Sequence, residues 1–214
     1  MTASTGTGGG CLYPTPPMTD QQRLRQHLKH TRLALSAQAR AEAAASAARL
    51  ILKHPRFVRA KRVAAYFGIK GELSPMGLME HAAQSNKQCF LPVLHPFLSG
   101  RLWFCRWRPG DRVAPNRFGI PEPIPRAGDL VAARNLDLVI VPLLGFDSDC
   151  HRLGMGGGYY DRSFAFIRRL KHRTHPYLIG FAHESQRVDR LQTQAWDITL
   201  DAIASDRRFY FARR

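Results

Sequence analysis

The stretch LDLVIVPLLGFDSDCHRLGMGGGYYDR, Leu136 to Arg162, decides the fold. Its first nine residues, Leu136 to Leu144, are almost all apolar, the pattern of a strand covered on both faces. A loop carrying Gly154, Gly156, Gly157 and Gly158 follows. Tyr159 to Leu170 then reads as a helix with Phe164 and Ile167 turned inward. Strand, glycine loop and helix in that order put a ligand-sized concavity at the carboxyl end of a buried parallel strand, where α/β folds bind their ligands.

Working outward, Arg62 to Ile69 (RVAAYFGI) reads as a second buried strand. Ser74-Pro75 offers a cap and a first-turn proline for a helix. Gln88 to Leu94 (QCFLPVL) completes a parallel βαβ unit. Arg101 to Trp107 alternates large apolar and polar residues, as a half-exposed strand does. Residues 108 to 129 are rich in proline and glycine and read as a long functional or mobile loop. Tyr177 to Ala182 is a further strand, and two more, Asp197 to Ala204 and Arg207 to Phe211, close the chain. The fold class expected is three-layer α/β: a mostly parallel sheet with helices on both faces.

The N-terminal residues 1–19, rich in Gly, Thr and Pro, read as a flexible tail, and residues 20–214 as a single α/β domain. Asp20 is the expected N-cap of a first helix with Leu24, Leu28, Thr31 and Leu35 on its apolar side. Arg25, Lys29 and Arg32 form a basic stripe beside them, which solvation alone would explain. Ser36 caps a second, Ala-rich helix that stops before His54-Pro55.

Composition narrows the function. Hydrophobic residues make up 44% of 214, enough for a core. Lys and Arg number 32 against 16 Asp and Glu, a net charge of +16, so the expected partner is anionic. The longest apolar run, Leu138 to Phe146, is short of the roughly 18 residues a spanning helix needs, so no membrane association is expected. The N-terminus lacks the pattern of a signal peptide. Cys11, Cys89, Cys105 and Cys150 form no CxxC pair, which argues against a zinc cage or a disulfide framework and for a reducing cytoplasm. The nine histidines show no metal-ligand spacing; His27, His30, His172 and His175 read as surface residues.

The glycine loop suits phosphate. Glycines let backbone N–H groups turn toward an anion, and a following helix adds partial positive charge. Arg152 and Arg162 bracket the loop as candidate phosphate partners, and Asp161 is a candidate Mg²⁺ ligand. A tight glycine turn without ligand is the plainer alternative. No GK[ST] follows, and the glycine spacing is not that of a dinucleotide fingerprint. Asp197, Thr199 and Asp201 alternate with Ile198 and Leu200. On a strand they would share one face, either a metal or phosphate site or a polar exposed surface.

RLGMGGGYYDR after VPLLGFD resembles the signature of the 5-formyltetrahydrofolate cyclo-ligase family. LRQHLKHTRLALS, YFGIKGELSP, FGIPEP, GFAHESQ and WDITLDAIASD resemble further segments of that family, in order, across residues 21 to 206. The resemblance implies ATP- and Mg²⁺-dependent conversion of 5-formyltetrahydrofolate to 5,10-methenyltetrahydrofolate. ATP phosphorylates the formyl oxygen, N10 attacks the formyl carbon, and phosphate leaves as the ring closes.

By the same resemblance, ATP is bound by Arg25 and by Arg152, Leu153, Gly154, Met155, Gly156, Gly157, Gly158, Tyr159 and Tyr160. Folate is bound by Phe67, Glu72 and Tyr160, and Mg²⁺ by Asp161 and Asp197. Arg152, Tyr160 and Asp161 are the implied catalytic set. The chain departs from the family pattern at Gln21, where Lys is usual, at Cys150, where Gly is usual, and at Met155 and Gln192. The implied protein is a cytoplasmic monomer acting on small molecules, with nucleic acid not expected as a partner. The alternatives are a basic nucleic-acid-binding protein and an inactive folate-binding protein on the same fold.

Overall fold

The computed structural model describes residues 18–170 and 176–213. The expected tail through residue 17, Cys11, His172 and His175 therefore lie outside the described residues. The first helix, α1, spans Asp20–Ala34, and its N-cap is Thr19 rather than Asp20. The Thr19 side chain accepts from the Gln22 N–H, and the Gln22 side chain accepts from the Thr19 N–H, a closed capping box. Asp20 instead pairs with Arg23 in the first turn. Helix α2 (Ala37–Leu52) is capped by Ser36 as expected, and α3 (Pro55–Arg59) begins on Pro55.

The chain then lays down β1 (Arg62–Ala64), α4 (Met76–Gln84), β2 (Gln88–Leu94) and β3 (Leu102–Trp107). The segment expected as one strand to Ile69 pairs only as far as Ala64 and continues as irregular chain. Residues 108 to 129 contain a small hairpin, β4 (Val113–Pro115) and β5 (Pro121–Pro123). After β6 (Leu130–Val131) comes β7 (Leu138–Val141). A second hairpin, β8 (Gly145–Phe146) with β9 (Arg152–Leu153), precedes the glycine loop. Helix α5 is short, Tyr159–Phe164, and tightens into a 3₁₀ turn over Ala165–Arg169. The chain closes with β10 (Tyr177–Ala182), β11 (Ala202–Ser205) and β12 (Phe209–Phe211). Residues 197–200, expected within a strand, lie outside it, and Asp201 is buried with an oxygen accepting from the Leu178 N–H. The one-face reading of Asp197, Thr199 and Asp201 does not hold, because the ladder begins only at Ala202.

The main sheet runs β12-β11-β10-β7-β1-β2-β3-β6, with the five strands from β11 to β2 parallel and β12, β3 and β6 antiparallel. Alternation along each parallel strand sends residues to opposite layers. Leu138, Ile140 and Ile179 join α2, α3 and α4 on one face. Val139, Val141 and Leu178 join Phe164 and Ile167 on the other. The three-layer arrangement follows from strands that are apolar on both sides. Chain order reverses between β1 and β7, so the crevice beyond their carboxyl ends is a topological switch point.

Candidate functional site

Two cavities open at that crevice. The first, about 370 Å³, is walled by Tyr66 and Phe67 after β1, by Pro142 and Leu143 after β7, and by Phe118 and Ile120 from the small hairpin. The second, about 590 Å³, is cationic, with Arg25, Arg101, Arg162 and Arg168 in its wall. Arg152, Gly154, Gly158 and Asp161 line both, so these residues form the partition between the cavities.

The partition is built by short-range bonding. Arg152 is nearly buried and donates to the Ile198 carbonyl and to Asp161 Oδ1, each at 2.7 Å. The same Asp161 oxygen accepts from the Ile198 N–H at 3.1 Å. Arg162 donates to the Gly100 and Gly157 carbonyls and stacks 5.6 Å from the Tyr159 ring. It therefore clasps the loop rather than standing free for phosphate. Gly158 lies at φ 62°, and a Cβ there would come within 2.7 Å of the Arg162 guanidinium, so the turn requires glycine. Arg25 reaches the loop from α1 and donates to the Gly154 carbonyl at 3.1 Å. Helix α1 is held close enough because Leu28 seats on Gly145, where a Cβ would come within 2.5 Å of it.

The hairpin β8–β9 that delivers Arg152 is organised by Asp147. Its buried carboxylate accepts from the Asp149, His151 and Leu191 N–H groups and pairs with the His151 ring. Cys150 sits at the corner with φ 65°, the left-handed conformation expected where glycine is usual. Its thiol is fully buried, and burial pushes it up to about 12. Cys89 and Cys105 are also buried free thiols, pushed up by burial to about 11.

In the first cavity, Phe67 and Glu72 lie together as expected. Glu72 accepts from Arg32 at 3.3 Å and from the Ile69 N–H at 3.1 Å. Burial raises its carboxyl above the ordinary value, against the opposing pull of the Ile69 bond and Arg32. Tyr160 stacks on Phe164, and its buried hydroxyl has no hydrogen-bond partner among the described residues; burial raises its pKa as well. The hairpin tip closes the rim: Arg117 donates to the Tyr159 hydroxyl at 3.0 Å, and Phe118 meets the Tyr159 ring edge-on.

Every site residue implied by the family resemblance lines one cavity or the other, with a division the sequence did not indicate. Met155, Gly157, Tyr159 and Tyr160, expected against ATP, line the first cavity with Phe67 and Glu72. Arg25, Leu153, Gly156 and Asp197 line the second. The basic stripe of α1 divides three ways: Arg25 faces the second cavity, Lys29 is exposed, and Arg32 is buried under Glu72. The role of Arg32 under Glu72 and the cavity arginines Arg101 and Arg168 escaped sequence reading. Nothing in their local pattern distinguishes them from surface cations in a chain with 32 Lys and Arg.

Asp161 and Asp197 share the second cavity. Asp161 Oδ1 is engaged by Arg152, and Asp197 Oδ2 accepts from the Gln194 N–H. Among the described residues there is no cluster of three or more His, Cys, Asp or Glu that would cage a metal. Two carboxylates without a cage suit Mg²⁺ that arrives with phosphate oxygens completing its shell. Among the described residues no helix is long and apolar enough to cross a membrane.

Comparison with known proteins gives the family and the fold. Residues 17–206 match the 5-formyltetrahydrofolate cyclo-ligase family. The chain is 36% identical to the 5-formyltetrahydrofolate cyclo-ligase of Escherichia coli K12 over 178 residues, covering 83% of this chain and 96% of the relative. It is 26% identical to the enzyme of that name from Mus musculus, covering 84% and 90%. The solution structure of Aquifex aeolicus 5,10-methenyltetrahydrofolate synthetase superimposes with a TM-score of 0.75 at 29% identity, covering 91% of this chain and 93% of that one.

Proposed function

The chain belongs to the 5-formyltetrahydrofolate cyclo-ligase family, ATP-using ligases of folate metabolism, and on that premise we propose how its two cavities divide the reaction. The first holds 5-formyltetrahydrofolate and the second holds the triphosphate of ATP, with the formyl oxygen and the γ-phosphate meeting at the Arg152–Asp161 partition. The observation that carries this reading is that one ion pair lines both an aromatic cavity and a cationic one.

Phe67 offers a ring for the pterin, and Glu72 a carboxylate for its N–H groups. Arg25, Arg152 and the backbone of Leu153 to Gly158 receive the phosphates. The formyl oxygen attacks the γ-phosphorus; its bond forms as the bond to the ADP oxygen breaks. N10 then attacks the activated carbon and loses its proton, and the C–O bond breaks to release phosphate. An amide oxygen is a poor leaving group until it is phosphorylated, so the nucleotide is consumed to close the ring. Arg152 neutralises charge at the transferring phosphoryl group without reorganising, because Asp161 and the Ile198 carbonyl already hold it. Tyr160 brings its unpartnered hydroxyl to the folate side of the partition. Asp161 and Asp197 would hold Mg²⁺, which when bound offsets phosphate charge.

The arginines of the second cavity offset the lost cation at Gln21, which lines the same wall. The reading includes a single cytoplasmic domain acting as a monomer on small molecules, with no nucleic-acid partner. The test is the near-ultraviolet absorbance of the methenyl product when the purified chain is mixed with 5-formyltetrahydrofolate, MgATP and buffer. Product that requires both ATP and Mg²⁺ is expected. Folate binding without ATP consumption would instead support an inactive binding protein.

A further inference from the structure

Among the described residues the second cavity is lined by one aromatic residue, Trp196, which is 61% exposed. An indole left this open forgoes a large apolar burial, which is unusual for the biggest apolar side chain. Among the described residues, no ring or cation stacks on it. Its exposure is not a sign of a loose chain end. The turn carrying it is tied at both ends: Asp197 Oδ2 accepts from the Gln194 N–H at 2.8 Å, and the Asp197 N–H donates to the Gln194 carbonyl at 2.9 Å. Arg168 donates to the Ala195 carbonyl at 3.0 Å and fastens the turn to the 3₁₀ segment after α5. The backbone is fixed while the ring is left open on the wall of a cationic cavity.

We propose that Trp196 is the stacking platform for the nucleobase of the bound triphosphate, and so the residue that distinguishes a nucleotide from a bare polyphosphate. The proposal rests on the reading of this cavity as the ATP site. The arginines and the glycine-loop amides recognise phosphate, which any polyphosphate carries. An open indole recognises a planar ring by its face, which only the nucleotide has. Asp197 thereby acquires a positioning role, since its carboxylate closes the turn that presents the ring.

The experiment compares ATP with inorganic tripolyphosphate, both with Mg²⁺, by calorimetry and by tryptophan emission. The wild-type chain binds ATP roughly ten- to a hundredfold more tightly than tripolyphosphate, the range expected for one base–aromatic stack. Emission is quenched by ATP and not by tripolyphosphate. Trp196→Ala brings the two affinities together by weakening ATP alone, and Trp196→Phe restores most of the difference. If Trp196→Ala keeps the wild-type preference for ATP, the platform is elsewhere and the proposal fails while the nucleotide reading stands. A wild-type chain that binds neither ligand overturns the nucleotide reading and the platform with it.

Discussion

Arg152 and Asp161 lie 2.7 Å apart at the wall common to the two cavities, with the arginine side chain 6% exposed and the aspartate 21%. On the proposed reading, their closeness sets the electrostatics of the transfer step. A guanidinium already held by a carboxylate and a carbonyl needs no reorganisation when phosphate charge develops beside it.

Replacing Asp161 with Asn keeps an acceptor for the Ile198 N–H but removes the charge that holds Arg152 and would hold Mg²⁺. Turnover is expected to fall about a hundredfold or more, on the scale of losing one preorganised charge contact. The Kd for the folate, measured without nucleotide, should stay within a few-fold. Undiminished turnover in Asp161→Asn would remove the partition from the mechanism.

The buried Arg32–Glu72 pair is a structural support under the first cavity. Arg32 also buries two guanidinium nitrogens that have no partner among the described residues, so it relies heavily on Glu72. Arg32→Met should cost about 2–4 kcal/mol in urea unfolding near neutral pH and Glu72→Gln less than that, because the first strands a buried carboxylate while the second leaves a neutral amide acceptor beside Arg32. The double variant should cost less than the sum by about 1–3 kcal/mol. Strict additivity would mean the two groups do not interact in solution.

Glu72 also gives stability a pH dependence. Burial raises its folded-state pKa above the ordinary 4.5, so between the two values the native protein holds more protons than the unfolded chain. Stability contributed by this group is full below the unfolded value and is lost as pH rises through the folded one. Wild-type stability relative to Glu72→Gln should therefore decline as pH is raised from about 4.5 upward, read by denaturant unfolding at a series of pH values. A difference that grows with pH would mean Arg32 outweighs burial.

Cys150 holds a left-handed conformation that glycine adopts without strain. Cys150→Gly relieves that strain but empties a buried site, whereas Cys150→Ala loses packing and keeps the strain. Gly should be the better tolerated of the two by about 1 kcal/mol, measured as a difference in thermal or urea unfolding. The opposite order would show that filling the corner matters more than its backbone geometry.

Much of the molecule was legible in the sequence because its signals are local. The apolar run through Val141, the Gly loop and the Ser36 cap each carry their structure in adjacent residues, and β2 and β10 match the expected bounds. The strand expected from Arg62 to Ile69 stops pairing at Ala64, although Ala65 and Tyr66 remain buried, because apolar pattern reports burial and not ladder bonding. The hairpin β8–β9 was not foreseen, since two-residue strands leave no periodicity to read. The division of the site was illegible for a different reason. Arg32, Arg101 and Arg168 gain their roles from partners distant in sequence, such as Glu72 for Arg32. Among so many basic residues, local pattern does not mark them.

The central claim is that phosphoryl transfer to the formyl oxygen takes place where the two cavities meet. It is tested most directly by labelling that oxygen with ¹⁸O, running a single turnover with unlabelled MgATP, and reading the inorganic phosphate by ³¹P NMR. One ¹⁸O per phosphate released is the result expected. Phosphate free of label, alongside formation of the methenyl product, would contradict the account.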